Sequence, residues 1–238
     1  MCIAAVSDAS HGNGEVYLDD WHVRETFRSQ GAKLIFLSSL EAVTAEQAHV
    51  HLLSFSSTVL KRVVNSTTKA ETYQLTDVVE GADLLRAALA DAHGVLDPSN
   101  WETSASQWMR NVWFTDCRSC YDTLQKPINK TVDERLGIEL AALRQNLWRA
   151  PGHSSPDPRM LEEKPQHPTD IVRWIDTAVM VADSLTKQMR STFLLDVLTT
   201  NVWDFAQTDE ARATKARKQQ QRRRKPEDSE PELGRDSD

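Results

Sequence analysis

Hydrophobic and polar positions follow one period early in the chain and another later. In the first 60 residues, short apolar runs stand between turn residues. These are Cys2-Ile3-Ala4-Ala5-Val6, then Ala32-Lys33-Leu34-Ile35-Phe36-Leu37 behind Ser29-Gln30-Gly31, then His49-Val50-His51-Leu52-Leu53-Ser54-Phe55. Such runs predict three strands in an antiparallel meander. From residue 68 the spacing becomes helical. Thr68-Lys69-Ala70-Glu71 has the capping-box form, and behind it Leu75, Val78, Ala82, Leu85 and Leu89 fall on one stripe that ends near Gly94. Asn111-Val112-Trp113-Phe114-Thr115 predicts a buried strand ending at Asp116, and a short helix then runs to Lys126, where Pro127 stops it. Thr131-Val132-Asp133-Glu134 is a second capping box, ahead of a stripe of Leu136, Leu140, Leu143 and Leu147. Residues 149–169 are proline-rich and aperiodic, which predicts a loop. Ile171-Val172-Arg173-Trp174-Ile175 predicts a last strand, and Ala178 to Asp204 reads as mostly helical. The predicted order is βββαβααβα, an α/β chain with a mixed sheet.

Composition narrows this. With 238 residues the chain has room for one domain and a tail, and three cysteines exclude a disulfide scaffold. Charged residues interrupt every apolar run, and the N-terminus lacks the basic and apolar regions of a signal peptide, so a soluble intracellular chain is expected. The net charge of −7 is unevenly spread: residues 212–238 hold 9 Lys+Arg and 6 Asp+Glu, which leaves the preceding 211 residues at −10. The segment 206–238 is basic first, then acidic, and nearly devoid of apolar residues. It is expected to be a disordered tail behind a domain over 1–205. Its Arg222-Arg223-Arg224-Lys225 run has the composition of a nuclear import signal or a nucleic-acid arm, so cytoplasm and nucleus both stay open.

Four acidic residues sit where strands end or helices begin. Asp8 follows the first strand, Glu71 lies in the first turn of the long helix, Asp116 ends the fourth strand, and Asp183 lies on the helix after the fifth. Carboxylates held close together repel and call for a cation, and two divalent ions about 4 Å apart would clamp an in-line phosphoryl displacement. Each acid also has a structural reading: a capping glutamate, a turn aspartate, a helix cap, a solvated helix face. Asp176, seven residues before Asp183, is an N-cap candidate and a reserve candidate for the fourth acid.

The local sequences around these acids go further. Ser66-Thr67-Thr68-Lys69-Ala70-Glu71 resembles the S-S-x-x-A-E segment of copia-type retrotransposon polymerases, and Ala182-Asp183-Ser184-Leu185-Thr186-Lys187 resembles their A-D-x-L-T-K signature. Ser7-Asp8-Ala9-Ser10, Ser29-Gln30-Gly31 with Ile35-Phe36-Leu37, Phe114-Thr115-Asp116-Cys117-Arg118-Ser119 and Asp133 to Leu140 are similar to further segments of that family, in order, over roughly residues 1–190. The resemblance implies a ribonuclease H-like fold with a mixed five-stranded sheet and helices on both faces. It implies a reverse-transcriptase-associated endonuclease in which Asp8, Glu71, Asp116 and Asp183 are the metal ligands and catalytic set. The implied cofactor is two Mg²⁺ or Mn²⁺ ions, and the implied reaction is hydrolysis of the RNA strand of an RNA–DNA hybrid. A polymerase domain encoded separately is a candidate partner, since the polymerase segments are absent and the chain reads as a fragment of a larger polyprotein. Cellular ribonucleases H carry a histidine just before the fourth aspartate; Asp176 to Ala182 contains none, and His153 and His167 lie in the proline-rich segment. A non-catalytic remnant that keeps the fold and binds nucleic acid or protein is therefore the alternative.

The remaining features are less specific. Lys61, Arg62 and Lys69 form a basic cluster near Glu71 that suits phosphate contact or a solvated surface. Cys117-Arg118-Ser119-Cys120 is a lone C-x-x-C, short of the four ligands of a structural zinc site. Trp101, Trp108, Trp113, Trp148, Trp174 and Trp203 are expected in the core.

Overall fold

The computed structural model describes residues 1–11, 14–18, 22–26, 29–61, 64–125, 133–147 and 169–206. Trp148, His153, His167 and all of the expected tail beyond Ala206 lie outside the described residues. Strands are β1 (Cys2–Ser10), β2 (Gly14–Leu18), β3 (His22–Thr26), β4 (Gln30–Ser38), β5 (Gln47–Val59), β6 (Arg110–Thr115), β7 (Ile171–Trp174) and β8 (Val202–Asp204). Helices are α1 (Thr67–Ala92), α2 (Trp101–Trp108), α3 (Arg118–Gln125), α4 (Glu134–Leu147), α5 (Asp183–Thr186) and α6 (Thr192–Thr200).

The main sheet runs β7-β6-β1-β4-β5-β8. β1 is antiparallel to β4 and β4 to β5, whereas β1 to β6 and β6 to β7 are parallel. Five of these strands reproduce the expected meander and the helix-linked strands, and the fold is ribonuclease H-like. The sheet has six strands where five were expected. β8, which pairs with the first residues of β5, falls inside the stretch read as mostly helical. That stretch is a 3₁₀ turn over Thr177–Val179, the two short helices α5 and α6, and β8. α6 ends at Asn201, whose left-handed φ of 56° turns the chain into a strand too short to show alternation. The hairpin of β2 and β3 and the helix α2 were also not read from the sequence.

β1 is buried along its whole length because both faces of the sheet are covered. Cys2, Ala4 and Val6 face a core with Phe36, Phe114, Val179 to Ala182, Leu194, Val197 and Trp203. Ile3 and Ala5 face the opposite core, with Leu75, Val78, Val79 and Ala82 of α1 and with Leu124, Leu140, Leu143 and Leu147. Each fully buried Leu or Val of α1 contributes about 1.5–3 kcal/mol to this packing. Trp113 and Trp203 are fully buried, and Trp101, Trp108 and Trp174 are partly so.

Both expected capping boxes are corrected. The N-cap of α1 is Ser66, whose hydroxyl accepts from the Lys69 N–H at 3.3 Å, so Glu71 lies beyond the capping positions. At α4 the Leu136 N–H donates to Asp133 Oδ1 at 3.1 Å, and Thr131 lies outside the described residues.

α1 approaches β4 closely at Gly31. A Cβ there would lie 1.9 Å from Gln74 Oε1 and 2.9 Å from Leu60 Cδ2. Gln74 is itself buried, so its amide has little room to withdraw. Gly31→Ala is expected to destabilise the protein by about 1–3 kcal/mol, measured by urea unfolding. An unchanged midpoint would mean that α1 can move away from the sheet freely.

Candidate active site

Val6 of β1 lies opposite Phe114 of β6 in a parallel register, with both side chains in the same core. Two residues further on come Asp8, still within β1, and Asp116, the residue just past the end of β6, so the two neighbouring strands deliver both carboxylates to one end of the sheet. Asp183 opens α5, which packs on the face of Val6 and Phe114. One oxygen from each of Asp8, Asp116 and Asp183 lies within 4.8 Å of the others. Glu71 stands outside that trio on α1, yet its carboxylate accepts the Ala9 N–H and is strongly affected by the charges of Asp8 and Asp116.

All four acids are pushed above the usual carboxylate range. For Glu71 the shift is large, through burial first and then through Asp8 and Asp116. Burial also dominates at Asp116, with the charge of Asp8 adding to it and a hydrogen bond from Thr177 opposing it. Asp8 and Asp183 rise together as a coupled pair. Burial raises both; a hydrogen bond from Thr186 opposes the rise at Asp8, and Lys187 opposes it at Asp183.

Three neighbours fix how the aspartates are turned. Thr186 Oγ1 donates to Asp8 Oδ2, Thr177 Oγ1 donates to Asp116 Oδ2 at 2.8 Å, and Lys187 Nζ donates to Asp183 Oδ1 at 2.6 Å. Each contact engages one oxygen of its carboxylate. Glu71 Oε2 is different: it is buried, with no hydrogen-bond partner among the described residues. A buried anionic oxygen left unpaired is costly, and a hard divalent cation on oxygen ligands would relieve that cost.

The titration shifts make the metal-free protein sensitive to pH. A carboxyl whose folded pKa lies above its unfolded value holds more protons in the folded state. Stability therefore falls as pH rises from the unfolded value, near 4, through the raised folded value. Thermal denaturation in EDTA is expected to give a lower midpoint at pH 8 than at pH 5. Glu71→Gln, which removes the most perturbed group, is expected to flatten that slope. Equal slopes in the two proteins would show that Glu71 does not carry this strain.

The other sequence candidates are placed as follows. Lys61 is exposed beyond β5, and Arg62 lies outside the described residues. Lys69 is ion-paired to Asp133 at 2.6 Å, which holds its ammonium above the ordinary value. Asp176 N-caps the 3₁₀ turn by accepting from the Ala178 N–H at 3.0 Å. Cys120 is buried beside Thr72, and burial pushes its thiol up to about 12. Thr177 is not among the sequence candidates, and Thr186 and Lys187 enter there only within the Ala182-to-Lys187 segment, with no role attached. Thr186 and Lys187 stand three and four residues after Asp183, one helical turn away, and that spacing is the signal that could have found them.

No family model matches the chain, and no curated protein matches it in sequence. Its structural likeness is to ribonucleases H1. The chain is similar to the LC11 ribonuclease H1 isolated from compost, at 13% identity and a TM-score of 0.43, over 81% of this chain and 98% of that one. It is likewise similar to the ribonuclease H1 of the halophilic archaeon Halobacterium salinarum, at 13% identity and a TM-score of 0.41, over 82% of this chain and 99% of that one. A structure of LC11 ribonuclease H1 in complex with an RNA/DNA hybrid matches at 11% identity and a TM-score of 0.43, over 81% of this chain and 99% of that one. Strand order and helix placement carry the fold assignment. Among the described residues, no helix is long and apolar enough to cross a membrane.

Proposed function

We propose that this chain is a metal-dependent ribonuclease H of the copia-type retroelement kind, cutting the RNA strand of RNA–DNA hybrids. Asp8, Glu71, Asp116 and Asp183 would hold two Mg²⁺ or Mn²⁺ ions. The observation that carries the reading is the convergence of Asp8, Asp116 and Asp183 within 4.8 Å, backed by the unpaired, buried oxygen of Glu71. The donor set is all carboxylate, which suits hard cations and not zinc on thiolates. When bound, such ions supply an activated water and charge neutralisation for phosphodiester hydrolysis.

The chain's own residues have definite tasks. The two adjacent parallel strands set the spacing of Asp8 and Asp116. Thr186 and Thr177 fix the rotation of those carboxylates, and the first turns of α1 bring Glu71 to the Ala9 N–H, beside Asp8. Lys61 and Arg62, which precede α1 in the sequence, are candidates for backbone phosphates, and Lys69 would have to leave Asp133 to join them. The retroelement origin is supported by the ordered segments from Ser7-Asp8-Ala9-Ser10 to Ala182-Asp183-Ser184-Leu185-Thr186-Lys187.

A substrate panel tests the proposal. With Mn²⁺, a labelled RNA–DNA hybrid is expected to lose its RNA strand while its DNA strand and duplex DNA stay intact. Discrimination of this kind requires contacts to 2′-hydroxyls. Equal cutting of duplex DNA would point to a structure-selective DNA nuclease. A folded protein that cuts no substrate would favour the binding-module alternative.

A further inference from the structure

We propose that Lys187 is a built-in cation of the acidic cluster, seated between Asp183 and Asp8 in the metal-free protein and exchanged for a divalent ion when one binds. The inference rests on the reading of the cluster as a metal centre and names a residue that sets its affinity.

The geometry is specific. Lys187 Nζ lies 2.6 Å from Asp183 Oδ1 and 3.9 Å from Asp8 Oδ1. Other cations around the site are committed elsewhere: Lys69 to Asp133, and Arg118 to Asp122 at 3.0 Å. Among the described residues, Lys187 supplies the ion pairs found on the acidic trio. One ammonium facing four carboxylates leaves a large negative excess in a buried place. The orphaned Glu71 oxygen shows where the compensation stops.

The position also allows exchange. Lys187 is the residue that caps the C-terminus of α5, one turn after Asp183, and its side chain is 37% exposed. Its four-carbon stem can swing the ammonium into solvent without moving the backbone that carries Asp183. A divalent ion needs the same oxygens and brings twice the charge, so ammonium and ion compete for Asp183 and Asp8. Lys187 therefore holds the two aspartates together while metal is absent and lowers the affinity for metal when it arrives.

The test compares wild type, Lys187→Met and Lys187→Arg as full-length chains. Free Mn²⁺ is counted by electron paramagnetic resonance, and thermal unfolding is followed with and without saturating Mn²⁺. Lys187→Met is expected to bind Mn²⁺ at least tenfold more tightly than wild type. Its midpoint should lie below wild type in EDTA and meet it at saturating metal. Lys187→Arg keeps the charge, and its affinity should stay within about threefold of wild type. Unchanged Mn²⁺ affinity in the Met variant, with a midpoint deficit that persists at saturating metal, would make Lys187 a merely structural residue and overturn the proposal. An equal tenfold gain in the Arg variant would overturn it too. If wild type and all variants bind no Mn²⁺, the metal-centre reading itself fails. That outcome is distinct from a wild type that binds metal with an affinity Lys187 does not alter.

Discussion

Asp116→Asn is expected to lower RNA-strand cleavage at least a thousandfold while leaving the protein folded. The substitution keeps the side chain's shape, and an amide oxygen can still accept the hydrogen bond that Thr177 Oγ1 donates to Asp116 Oδ2. What it removes is one of three charges converging within 4.8 Å. A metal centre supplies several kcal/mol to a phosphoryl-transfer transition state, and about 4 kcal/mol corresponds to a factor of a thousand in rate. Stability should move the other way. Burial and the charge of Asp8 both raise Asp116, so a neutral residue relieves repulsion and the metal-free midpoint should stay level or rise. Rates on a labelled hybrid and thermal unfolding in EDTA check the two halves separately. Wild-type cleavage by Asp116→Asn would remove Asp116 from the catalytic set. A lost fold would make the rate uninformative, and Asp8→Asn would then take its place.

Arg86→Met is expected to have the largest effect on stability, about 3–5 kcal/mol, because it strands buried charge. Arg86 is fully buried on α1. Its guanidinium donates to Asp170 Oδ1 at 2.8 Å, to Asp83 Oδ1 at 2.6 Å and to the Met109 carbonyl at 3.2 Å. Asn111 completes the group, with its N–H on Asp170 at 2.9 Å and its side-chain amide on Asp83 at 2.8 Å. Burial already pushes Asp170 up, and the Arg86 charge is what opposes it. The network ties α1 to the start of β6 and the entry to β7, at the end of the sheet away from Asp8 and Asp116. Urea unfolding should therefore show the loss, while the folded fraction keeps its metal affinity. Arg86→Met combined with Asp170→Asn should recover part of the stability, since the second change removes a carboxylate left without its partner.

How much of this the sequence disclosed depends on the range of the interaction involved. The strands around Asp8 and Asp116 are written in local apolar runs, and the stripe of α1 is written in helical spacing. Both were therefore readable, and the parallel register of β1 and β6 then places the two aspartates side by side. Glu71 has the spacing of a capping-box glutamate, but Ser66 takes the cap. Its closeness to the charges of Asp8 and Asp116 appears only in three dimensions. β8 escaped because three residues cannot display a period, and α2 escaped because its Glu-Thr-Ser-Ala-Ser-Gln run has weak helical preference. The Arg86 network escaped for another reason: Asp83 is three residues from Arg86 on α1, but Asn111 is 28 residues from Asp83 and Asp170 is 84 from Arg86, and no local pattern links those. The hydroxyls of Thr177 and Thr186 are ordinary helix-edge threonines until the fold brings them onto the carboxylates.

The acidic balance is also clearer in the light of the fold. A chain of net charge −7 is a poor partner for a polyanion unless some of that charge is masked. Three of its acids converge within 4.8 Å, with Glu71 close enough to feel the charges of Asp8 and Asp116, and two divalent ions there would add a local charge of +4 and reverse the repulsion. Hybrid binding should then depend on metal as strongly as cleavage does.

The most direct measurement is the rate of RNA-strand cleavage in an RNA–DNA hybrid as a function of Mn²⁺ concentration, with EDTA as the zero point. Cleavage is expected to be absent in EDTA and to rise with Mn²⁺ to saturation. Cleavage that persists in EDTA, or a folded protein that leaves the hybrid intact at every Mn²⁺ concentration, would contradict it.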